Sequence, residues 1–316
     1  MEGNKLSNLA IASRSFSKNQ ILRNEVLKLY PEAKFNDDGV SLSGDSLVDF
    51  LDGYEKAITA LEVIDDSILS RLPNLKVIGK FGVGLDMIDL KALKKHDVKI
   101  GWTGGVNKRS VSELVVSTAI VLLHRAIFAN SEVKKKLWYQ IRGRQLSKCT
   151  VGIIGCGNVG KDVVRLLKPF DCRVLSFDIL NYDKFYKENK VTPVSLEKLL
   201  QESDVVTIHL PLDKSTKNII NKQRLKLIKK DAIFINFARG GLVDEANLKE
   251  LLLKKKIAGA AIDVFENEPH HDKDFALLDN VFVTPHIGGS TEEAILAMGR
   301  AAIDGLEKAR DPFDFI

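Results

Sequence analysis

The sequence predicts an α/β protein with two doubly wound domains, each a parallel sheet covered by helices. Short apolar, β-branched segments alternate with helical patterns along the chain, which is the order that parallel sheets with right-handed crossovers require. A glycine-rich turn in the middle of the chain joins one such segment to a helical pattern. At 316 residues, the chain is too long for one ordinary doubly wound domain and fits two.

The composition is that of a globular protein with a sizeable core, since 45% of the residues are hydrophobic and 28% are charged. The net charge of +5 is scattered, with its densest lysine runs at residues 134–136 and 254–256. No aromatic residues interleave with these lysines, so we interpret them as solvated helix faces and expect no nucleic-acid partner. The first eight residues contain no apolar signal core, and no run approaches a membrane span, which predicts no membrane partner and a cytoplasmic location.

The three cysteines form no CxxC pair, and no other spacing typical of metal ligands is present. We therefore expect a reducing compartment and no bound metal. Cys156 lies inside the glycine turn, where a small residue is needed, and we interpret it as a packing residue.

The first hundred residues predict a small α/β domain without a dinucleotide fingerprint of its own. Strands are expected at residues 9–12, 56–60, 75–80 and 98–101, and helices at 21–30 and 65–70. A long helix is predicted next, over residues 110–129, with Ser110 as its N-cap and Glu113 completing a capping box. Because this helix is apolar nearly all round, we expect it to be buried between domains or between subunits.

The rest of the chain continues the alternation. Strands are expected at 150–154, 173–177, 204–210, 231–236, 259–264 and 281–284, and helices at 196–202, 245–254 and 292–310. In open parallel sheets, ligands bind outside the carboxyl ends of the strands. That rule places one set of polar residues along a single edge: Asp178, His209, residues 236–239, residues 263–268 and His286.

The turn at residues 155–160, Gly-Cys-Gly-Asn-Val-Gly, matches the dinucleotide fingerprint because it follows a strand and opens a helix. Gly155 permits the tight turn, Gly157 lets a pyrophosphate approach the backbone, and Gly160 lets the helix pack against the sheet. The helix N-terminus offers unpaired N–H groups to the phosphates. Asp178, at the end of the next strand, would bind the ribose hydroxyls and repel a 2′-phosphate, so the predicted cofactor is NAD.

Three polar side chains at strand ends suggest a hydride-transfer site for a 2-oxo or 2-hydroxy acid. The guanidinium of Arg239 suits a planar carboxylate and can polarise the adjacent carbonyl. His286 can give a proton to the carbonyl oxygen as hydride arrives, and Glu268 would orient the imidazole and raise its pKa. His209 either packs under the cofactor or has a structural role.

These motifs resemble those of the NAD-dependent D-isomer-specific 2-hydroxyacid dehydrogenases, and the D-3-phosphoglycerate dehydrogenase branch is the most similar. The resemblance rests on residues 151–160, 203–211, 236–241, 263–269 and 284–291. It covers nearly the whole chain after residue 71, and the combination of motifs is specific to the family.

The resemblance implies a Rossmann NAD-binding domain, residues 104–286, inserted into a smaller flavodoxin-like substrate domain formed by residues 1–103 and 287–316. The partner is then a small 2-oxo or 2-hydroxy acid, held in a cleft between the domains. The long helix beginning near Ser110 resembles the dimer element of the family, which implies a homodimer.

The resemblance also assigns roles to individual residues. The catalytic arginine, glutamate and histidine of the family fall on Arg239, Glu268 and His286. With the glycine turn and His209 included, the expected cofactor contacts are Val83, Gly155, Gly157, Asn158, Val159, Gly160, Asp178, His209, Leu210, Phe237, Ala238, Arg239, Asp263, His286, Gly288 and Gly289. The expected substrate contacts are Gly82, Val83, Gly84, Asn107 and Arg239. The backbone N–H groups of the turn at Gly82 are expected to face the substrate carboxylate.

One segment departs from the phosphoglycerate dehydrogenase pattern. Those enzymes usually place arginines just after the strand near Ile58 to bind a phosphate, whereas residues 57–62 here read Ala-Ile-Thr-Ala-Leu-Glu. Lys80, Lys108 or Arg109 remain as substitutes. A reductase of glyoxylate, hydroxypyruvate or sugar-derived oxo acids is therefore one alternative, and an NAD(H)-sensing, corepressor-like interaction protein is another.

Overall fold

The computed structural model describes residues 8–270 and 272–315, so both ends of the predicted substrate domain lie partly outside the described residues. The chain forms two compact units. The first consists of the chain up to Asn107 together with the segment from Glu292 onward, and the second runs from Lys108 to Thr291. The units divide slightly later in the chain than the predicted boundaries after residues 103 and 286. Each unit carries a parallel sheet with interleaved helices, which confirms the predicted α/β fold class.

Within the described residues, the first unit has a five-stranded parallel sheet of order β2-β1-β3-β4-β5. Its strands are β1 Leu9–Ile11, β2 Lys34–Phe35, β3 Lys56–Thr59, β4 Val77–Lys80 and β5 Lys99–Gly101. The helices between them are α1 Arg14–Lys18, α2 Gln20–Leu29, α3 Gly44–Leu51, α4 Asp66–Leu69 and α5 Leu90–Lys95. This strand order is the flavodoxin-like order.

Side-chain alternation along the strands feeds a separate core on each face of this sheet. Ala10 and Ala57 belong to the core that includes residues of α3, α4 and α5, whereas Leu9 and Ile58 belong to the core that includes α1 and α2. Burial on both faces explains why these strands read as continuous apolar runs in the sequence.

The second unit has a seven-stranded parallel sheet in its described residues, with the order β12-β11-β10-β9-β6-β7-β8. The strands are β6 Thr150–Ile154, β7 Arg173–Phe177, β8 Val191–Pro193, β9 Val205–Ile208, β10 Ile233–Asn236, β11 Gly259–Ile262 and β12 Val281–Val283. Counted from β6, this is the Rossmann order with one additional strand. The order reverses between β6 and β9, and such a switch point is where ligands of open α/β sheets bind.

The helices of the second unit lie before its first strand and between its later strands. They are α6 Lys108–Leu123, α7 Ala126–Lys134, α8 Asn158–Leu167, α9 Asp183–Asn189, α10 Leu196–Glu202, α11 Lys222–Leu225, α12 Glu245–Leu253 and α13 Lys273–Ala276. The helix predicted at 196–202 is confirmed, and the one predicted at 245–254 ends one residue earlier.

The prediction of one long helix over residues 110–129 is wrong, because α6 and α7 are separate helices bent by 62°. The break lies at Arg125, whose φ of 54° is a left-handed conformation that cannot continue a right-handed helix. In the part of the chain that the structure describes, no single helix is long and apolar enough to cross a membrane; only this bent pair, taken together, has the necessary length and composition.

The predicted N-cap of this helix is also wrong. The helix begins at Lys108, so Ser110 is a helical residue, and its Oγ donates a hydrogen bond to the carbonyl oxygen of Gly288 at 2.5 Å. Ser110 therefore connects α6 to the loop after β12 instead of satisfying the helix N-terminus.

The chain returns to the first unit through α14, Glu292–Glu307, which packs against β4 and β5. Glycine permits this close approach: a Cβ on Gly101 would lie 2.1 Å from the carbonyl oxygen of Gly305. A final short 3₁₀ segment, Pro312–Phe315, brings Phe315 edge-on to Trp102, with ring centroids 5.5 Å apart.

Candidate active site

The glycine turn connects β6 to α8 and contains two glycines that packing requires. Gly155 has a φ of 90°, and a Cβ on it would lie 2.6 Å from the carbonyl oxygen of His209. A Cβ on Gly160 would lie 2.2 Å from the carbonyl oxygen of Gly155. A Cβ on Gly157, in contrast, would meet no atom within 4 Å. The turn is therefore tightly packed at Gly155 and Gly160, whereas the space next to Gly157 is open.

This open space lies at the N-terminus of α8, where the first N–H groups of the helix have no partner within the helix. Asn158 and Val159, two of the predicted cofactor contacts, form the first turn of α8. A phosphate group placed over Gly157 would meet these donors and the positive end of the helix dipole. The cradle thus fits the pyrophosphate of a dinucleotide.

Asp178 ties the glycine turn to the loop after β7. Its Oδ2 accepts a hydrogen bond from the backbone N–H of Cys156 at 2.6 Å, and its Oδ1 accepts one from that of Leu180 at 2.8 Å. A carboxylate has about four acceptor sites, so these two bonds leave capacity for ribose hydroxyls. Asp178 is partly exposed, as a ribose-binding residue requires.

His209 and Leu210 follow β9 and flank the turn. The His209 Nε2 lies 3.0 Å from Thr207 Oγ1, and its Nδ1 is buried without a hydrogen-bond partner among the described residues. Burial lowers the pKa of His209 to about 3, so the ring is neutral. Leu210 lies against the turn, its Cδ2 2.8 Å from a Cβ built on Gly155. An orphaned polar atom beside the turn is consistent with the predicted position under a cofactor.

The loop after β10 carries Arg239 and is braced by the buried side chain of Asn236. The Asn236 Nδ2 donates to the carbonyl oxygen of Arg239 at 2.9 Å, and its Oδ1 accepts from the N–H of Ala238 at 3.1 Å. Arg239 Nη1 donates to the carbonyl oxygen of Ala238 at 2.8 Å. Phe237, which lies between Asn236 and Ala238 in the sequence, is buried. The sequence predicted Asn236 on this edge but gave it no role. An asparagine at the end of a buried strand is the signal that could have indicated one.

His286 and Glu268 form a hydrogen-bonded pair. The His286 Nδ1 lies 2.8 Å from Glu268 Oε2, and Glu268 Oε1 accepts a hydrogen bond from the N–H of Phe265 at 3.0 Å. The two side chains are 49% and 39% exposed. Because the carboxylate occupies Nδ1, Nε2 is the ring nitrogen that can exchange a proton with a substrate.

Asp263 holds the backbone of His286 and of the two residues after it, and also binds the side chain of Thr284. It is buried, its Oδ1 accepts from Thr284 Oγ1 at 2.6 Å and from Ile287 N at 2.7 Å, and its Oδ2 accepts from Gly288 N at 2.7 Å. Its carbonyl oxygen accepts from His286 N at 2.8 Å. The sequence predicted Asp263 only as a cofactor contact, and this bracing of the histidine loop was missed. Gly289 follows in the same loop and is partly exposed.

The remaining predicted residues belong to the first unit. Gly82 follows β4 with a φ of 116°, and the next residues, Val83 and Gly84, continue a partly exposed loop. The carbonyl oxygen of Val83 accepts a hydrogen bond from Trp102 Nε1 at 3.2 Å, a contact that the sequence did not predict. Asn107 is buried and is the last residue before α6.

The parallel pairing of the second sheet brings the predicted polar residues to one edge. Asp178, His209, Arg239, Glu268 and His286 follow the carboxyl ends of β7, β9, β10, β11 and β12 respectively. Across the described ranges, no three histidine, cysteine or acidic side chains converge in an arrangement that could hold a metal ion. The edge therefore offers a histidine–carboxylate pair, a guanidinium and an anion cradle.

Comparison with known proteins identifies the family. The model for the NAD binding domain of D-isomer specific 2-hydroxyacid dehydrogenases matches residues 116–288. The hydroxypyruvate reductase of Thermotoga maritima is 35% identical over 240 residues, which cover 74% of this chain and 78% of that protein. The D-3-phosphoglycerate dehydrogenase of Methanocaldococcus jannaschii is 35% identical over 76% of this chain, but the match spans only 47% of that relative.

A solved structure agrees over nearly the whole chain. The D-lactate dehydrogenase from Aquifex aeolicus, complexed with NAD and lactic acid, superimposes with a TM-score of 0.83 at 27% identity and covers 95% of this chain and 94% of its own. The open glycine cradle and the acceptor sites of Asp178 fit the cofactor that the matched domain binds. The chain therefore belongs to the D-isomer specific 2-hydroxyacid dehydrogenases, and its cofactor is NAD.

Proposed function

We propose that this protein is an oxidoreductase that transfers a hydride between NAD(H) and C2 of a small D-2-hydroxy acid or 2-oxo acid. The observation that carries the proposal is the 2.8 Å contact between His286 Nδ1 and Glu268 Oε2 at the sheet edge that also bears the glycine turn. A histidine held by a carboxylate through one nitrogen can present the other to a substrate oxygen as a proton donor or acceptor.

Each group at this edge has a defined part in the proposed reaction. NAD(H), when bound, supplies or accepts the hydride. The Arg239 guanidinium binds the substrate carboxylate and polarises the adjacent carbonyl. In reduction, His286 Nε2 gives a proton to the carbonyl oxygen, and in oxidation it takes the proton from the hydroxyl. Glu268 orients the imidazole through its contact with Nδ1.

The substrate is proposed to be a short 2-oxo acid or the matching D-2-hydroxy acid. Relatives with similar identity are named hydroxypyruvate reductase, glyoxylate reductase and D-3-phosphoglycerate dehydrogenase, so both phosphorylated and unphosphorylated acids are candidates. Residues 57–62 contain no arginine, which favours an unphosphorylated acid.

The test is NADH oxidation by the purified protein against a panel of 2-oxo acids: glyoxylate, hydroxypyruvate, 3-phosphohydroxypyruvate, and branched and sugar-derived acids. We expect turnover of at least one acid, with the D-enantiomer as product wherever C2 of the hydroxy acid is a stereocentre. Tight NADH binding without turnover of any acid would contradict this proposal and favour an NAD(H)-sensing, corepressor-like protein.

We propose that the enzyme is a cytoplasmic homodimer. The three cysteines are unpaired in the structure, which is consistent with a reducing compartment. The exposed apolar side chains of Val133, Leu137, Trp138 and Tyr139, at the end of α7 and just after it, are consistent with a surface that a second copy covers.

A further inference from the structure

Two buried, oppositely charged residues at the carboxyl edge of the first unit's sheet have no part in the proposed chemistry. Lys80, the last residue of β4, is 5% exposed, and Glu62, shortly after β3, is 8% exposed. Buried charges are costly unless they are paired or hydrogen-bonded. Lys80 lies beside Gly82, in the loop that is expected to bind the substrate carboxylate.

Both side chains bind the same residue, Ala60. Glu62 Oε2 accepts a hydrogen bond from the backbone N–H of Ala60 at 2.5 Å, while Lys80 Nζ donates to the carbonyl oxygen of Ala60. Lys80 Nζ also donates to the carbonyl oxygen of Phe81 at 3.2 Å. A Cβ built on Gly82 would lie 3.5 Å from Lys80 Nζ, so the ammonium lies directly against this loop.

The two charges act on neighbouring strand ends. Thr59 of β3 pairs with Lys80 of β4, so Ala60 and the Gly82 loop leave the sheet side by side. An ammonium against the Gly82 loop makes the potential there positive, which favours one carboxylate. Glu62 occupies the N–H donor of Ala60 and offsets the charge of Lys80 there, so a second anionic group reaching toward Ala60 would find neither a free donor nor a net positive charge.

We propose that Lys80 and Glu62 determine which 2-oxo acids are accepted. Lys80 supports the binding of one carboxylate at the Gly82 loop, and Glu62 excludes acids that carry a second anionic group such as a phosphate. The proposal rests on the proposed function, because it takes the Gly82 loop as the carboxylate site. The selected substrates are short 2-oxo acids with an uncharged side chain.

The first test is Glu62→Gln, which removes the charge and keeps an oxygen that can accept from Ala60 N–H. We expect the ratio of kcat/KM for 3-phosphohydroxypyruvate to that for hydroxypyruvate to rise by about tenfold or more, as for the loss of one like charge at short range. The matched control is Glu55→Gln, which removes one exposed carboxylate at the opposite end of β3 and should leave the ratio unchanged.

The second test is Lys80→Met, with Lys80→Arg as the conservative rescue. We expect the methionine variant to raise KM for every 2-oxo acid by about tenfold or more, with a smaller change in kcat, and arginine to restore KM. Should the methionine variant fail to fold, Lys80→Gln retains a donor for the Ala60 carbonyl oxygen and allows the same measurement. The control Lys34→Met removes a lysine-to-carbonyl bond to Phe50 on edge strand β2 and should not alter KM.

The outcomes separate this inference from the proposed function. A wild-type enzyme that prefers the phosphorylated acid, an unchanged ratio in Glu62→Gln, or an unchanged KM in Lys80→Met would each overturn the inference. A wild-type enzyme without activity toward any acid would instead contradict the proposed function.

Discussion

His286 adopts a left-handed backbone conformation, with a φ of 56°, that residues other than glycine rarely take. Such a conformation persists only where the surroundings impose it, and here Asp263 accepts hydrogen bonds from the backbone N–H groups of His286, Ile287 and Gly288. The ring is then held a second time, through Nδ1, by Glu268. Backbone and side chain are thus fixed independently, which is what a residue that must present one nitrogen accurately requires.

Replacing His286 with asparagine should separate proton transfer from folding and cofactor binding. Asparagine tolerates the left-handed conformation but cannot exchange a proton near neutral pH. We expect kcat to fall by about 10² to 10⁴, as for loss of a general acid–base group, while NADH affinity measured by fluorescence titration stays the same. His124→Asn, a change at an exposed histidine, is the control. Retained turnover in His286→Asn would mean that another group supplies the proton.

Replacing Asp178 with asparagine should weaken the preference for NADH over NADPH. The amide can still accept one hydrogen bond, but it no longer repels a 2′-phosphate. We expect the ratio of kcat/KM values for the two cofactors to fall by about tenfold, as one charge interaction is lost. Asp183→Asn, on the exposed start of α9, should leave the ratio unchanged. An unaltered preference in Asp178→Asn would show that another group reads the ribose.

At the scale of elements, the glycine turn between β6 and α8 is tightly packed at one glycine and offers a binding surface at another. Two alanine substitutions test these two properties separately. Gly160→Ala places a methyl group 2.2 Å from a backbone oxygen, so we expect it to destabilise the protein by about 1–3 kcal/mol in urea unfolding. Gly157→Ala points into open space, so stability should be retained while NADH affinity falls. Equal NADH binding by Gly157→Ala and the wild type would contradict the proposed position of the pyrophosphate.

The end of β9 should contribute to acid sensitivity through His209. Its pKa of about 3 in the folded protein lies below the ordinary value of 6.5, so the unfolded chain binds a proton that the folded chain does not. Stability is therefore lost as pH falls from 6.5 toward 3, at up to about 1.4 kcal/mol per pH unit from this group. Between pH 7.5 and 4.5, the free energy of unfolding of His209→Gln should fall by about 2–3 kcal/mol less than that of the wild type. If urea titrations give the same loss of free energy of unfolding for the wild type and for His209→Gln, the ring must titrate in the folded protein as it does in the unfolded chain.

The elements that the sequence predicts well are those buried on both faces. The strands Thr150–Ile154 and Arg173–Phe177 were predicted to the residue, because an apolar run bounded by turns leaves little choice of register. The short, half-exposed strand β8 and the single-turn helices α11 and α13 carry too little hydrophobic pattern to be predicted. The break at Arg125 has no signal of its own, since the left-handed residue there is neither glycine nor asparagine.

The candidate site likewise has a part that the sequence predicts and a part that it does not. The carboxyl-edge rule predicted that Arg239, Glu268 and His286 would follow the strands of one sheet edge, because that placement depends only on strand order. The bracing by Asn236 and Asp263 could not be predicted, since it depends on loop conformations that bring backbone N–H groups to these side chains. The chemical roles of the site residues remain predictions.

At the scale of the whole molecule, the exposed apolar segment at residues 133–139, which begins in the last turn of α7, bears on the oligomeric state. Val133, Leu137, Trp138 and Tyr139 are all exposed, and Trp138 is 87% exposed. The hydrogen bond from Tyr139 to Glu132 holds part of this segment against the helix end. Clustered apolar side chains rich in aromatics are typical of protein interfaces, so a second copy of the chain is the proposed cover.

Trp138→Ser should therefore convert a dimer into a monomer. We expect light scattering after size exclusion to give twice the chain mass for the wild type and the mass of one chain for the variant at low micromolar concentration. A tryptophan at the centre of an interface often contributes more than about 2 kcal/mol to association, enough to shift the dissociation constant by well over tenfold. Leu277→Ser, a change at a comparably exposed leucine outside this segment, should leave the dimer intact. A wild-type protein with the mass of one chain would contradict the homodimer, whereas a Trp138→Ser protein that remains dimeric would place the interface elsewhere on the surface.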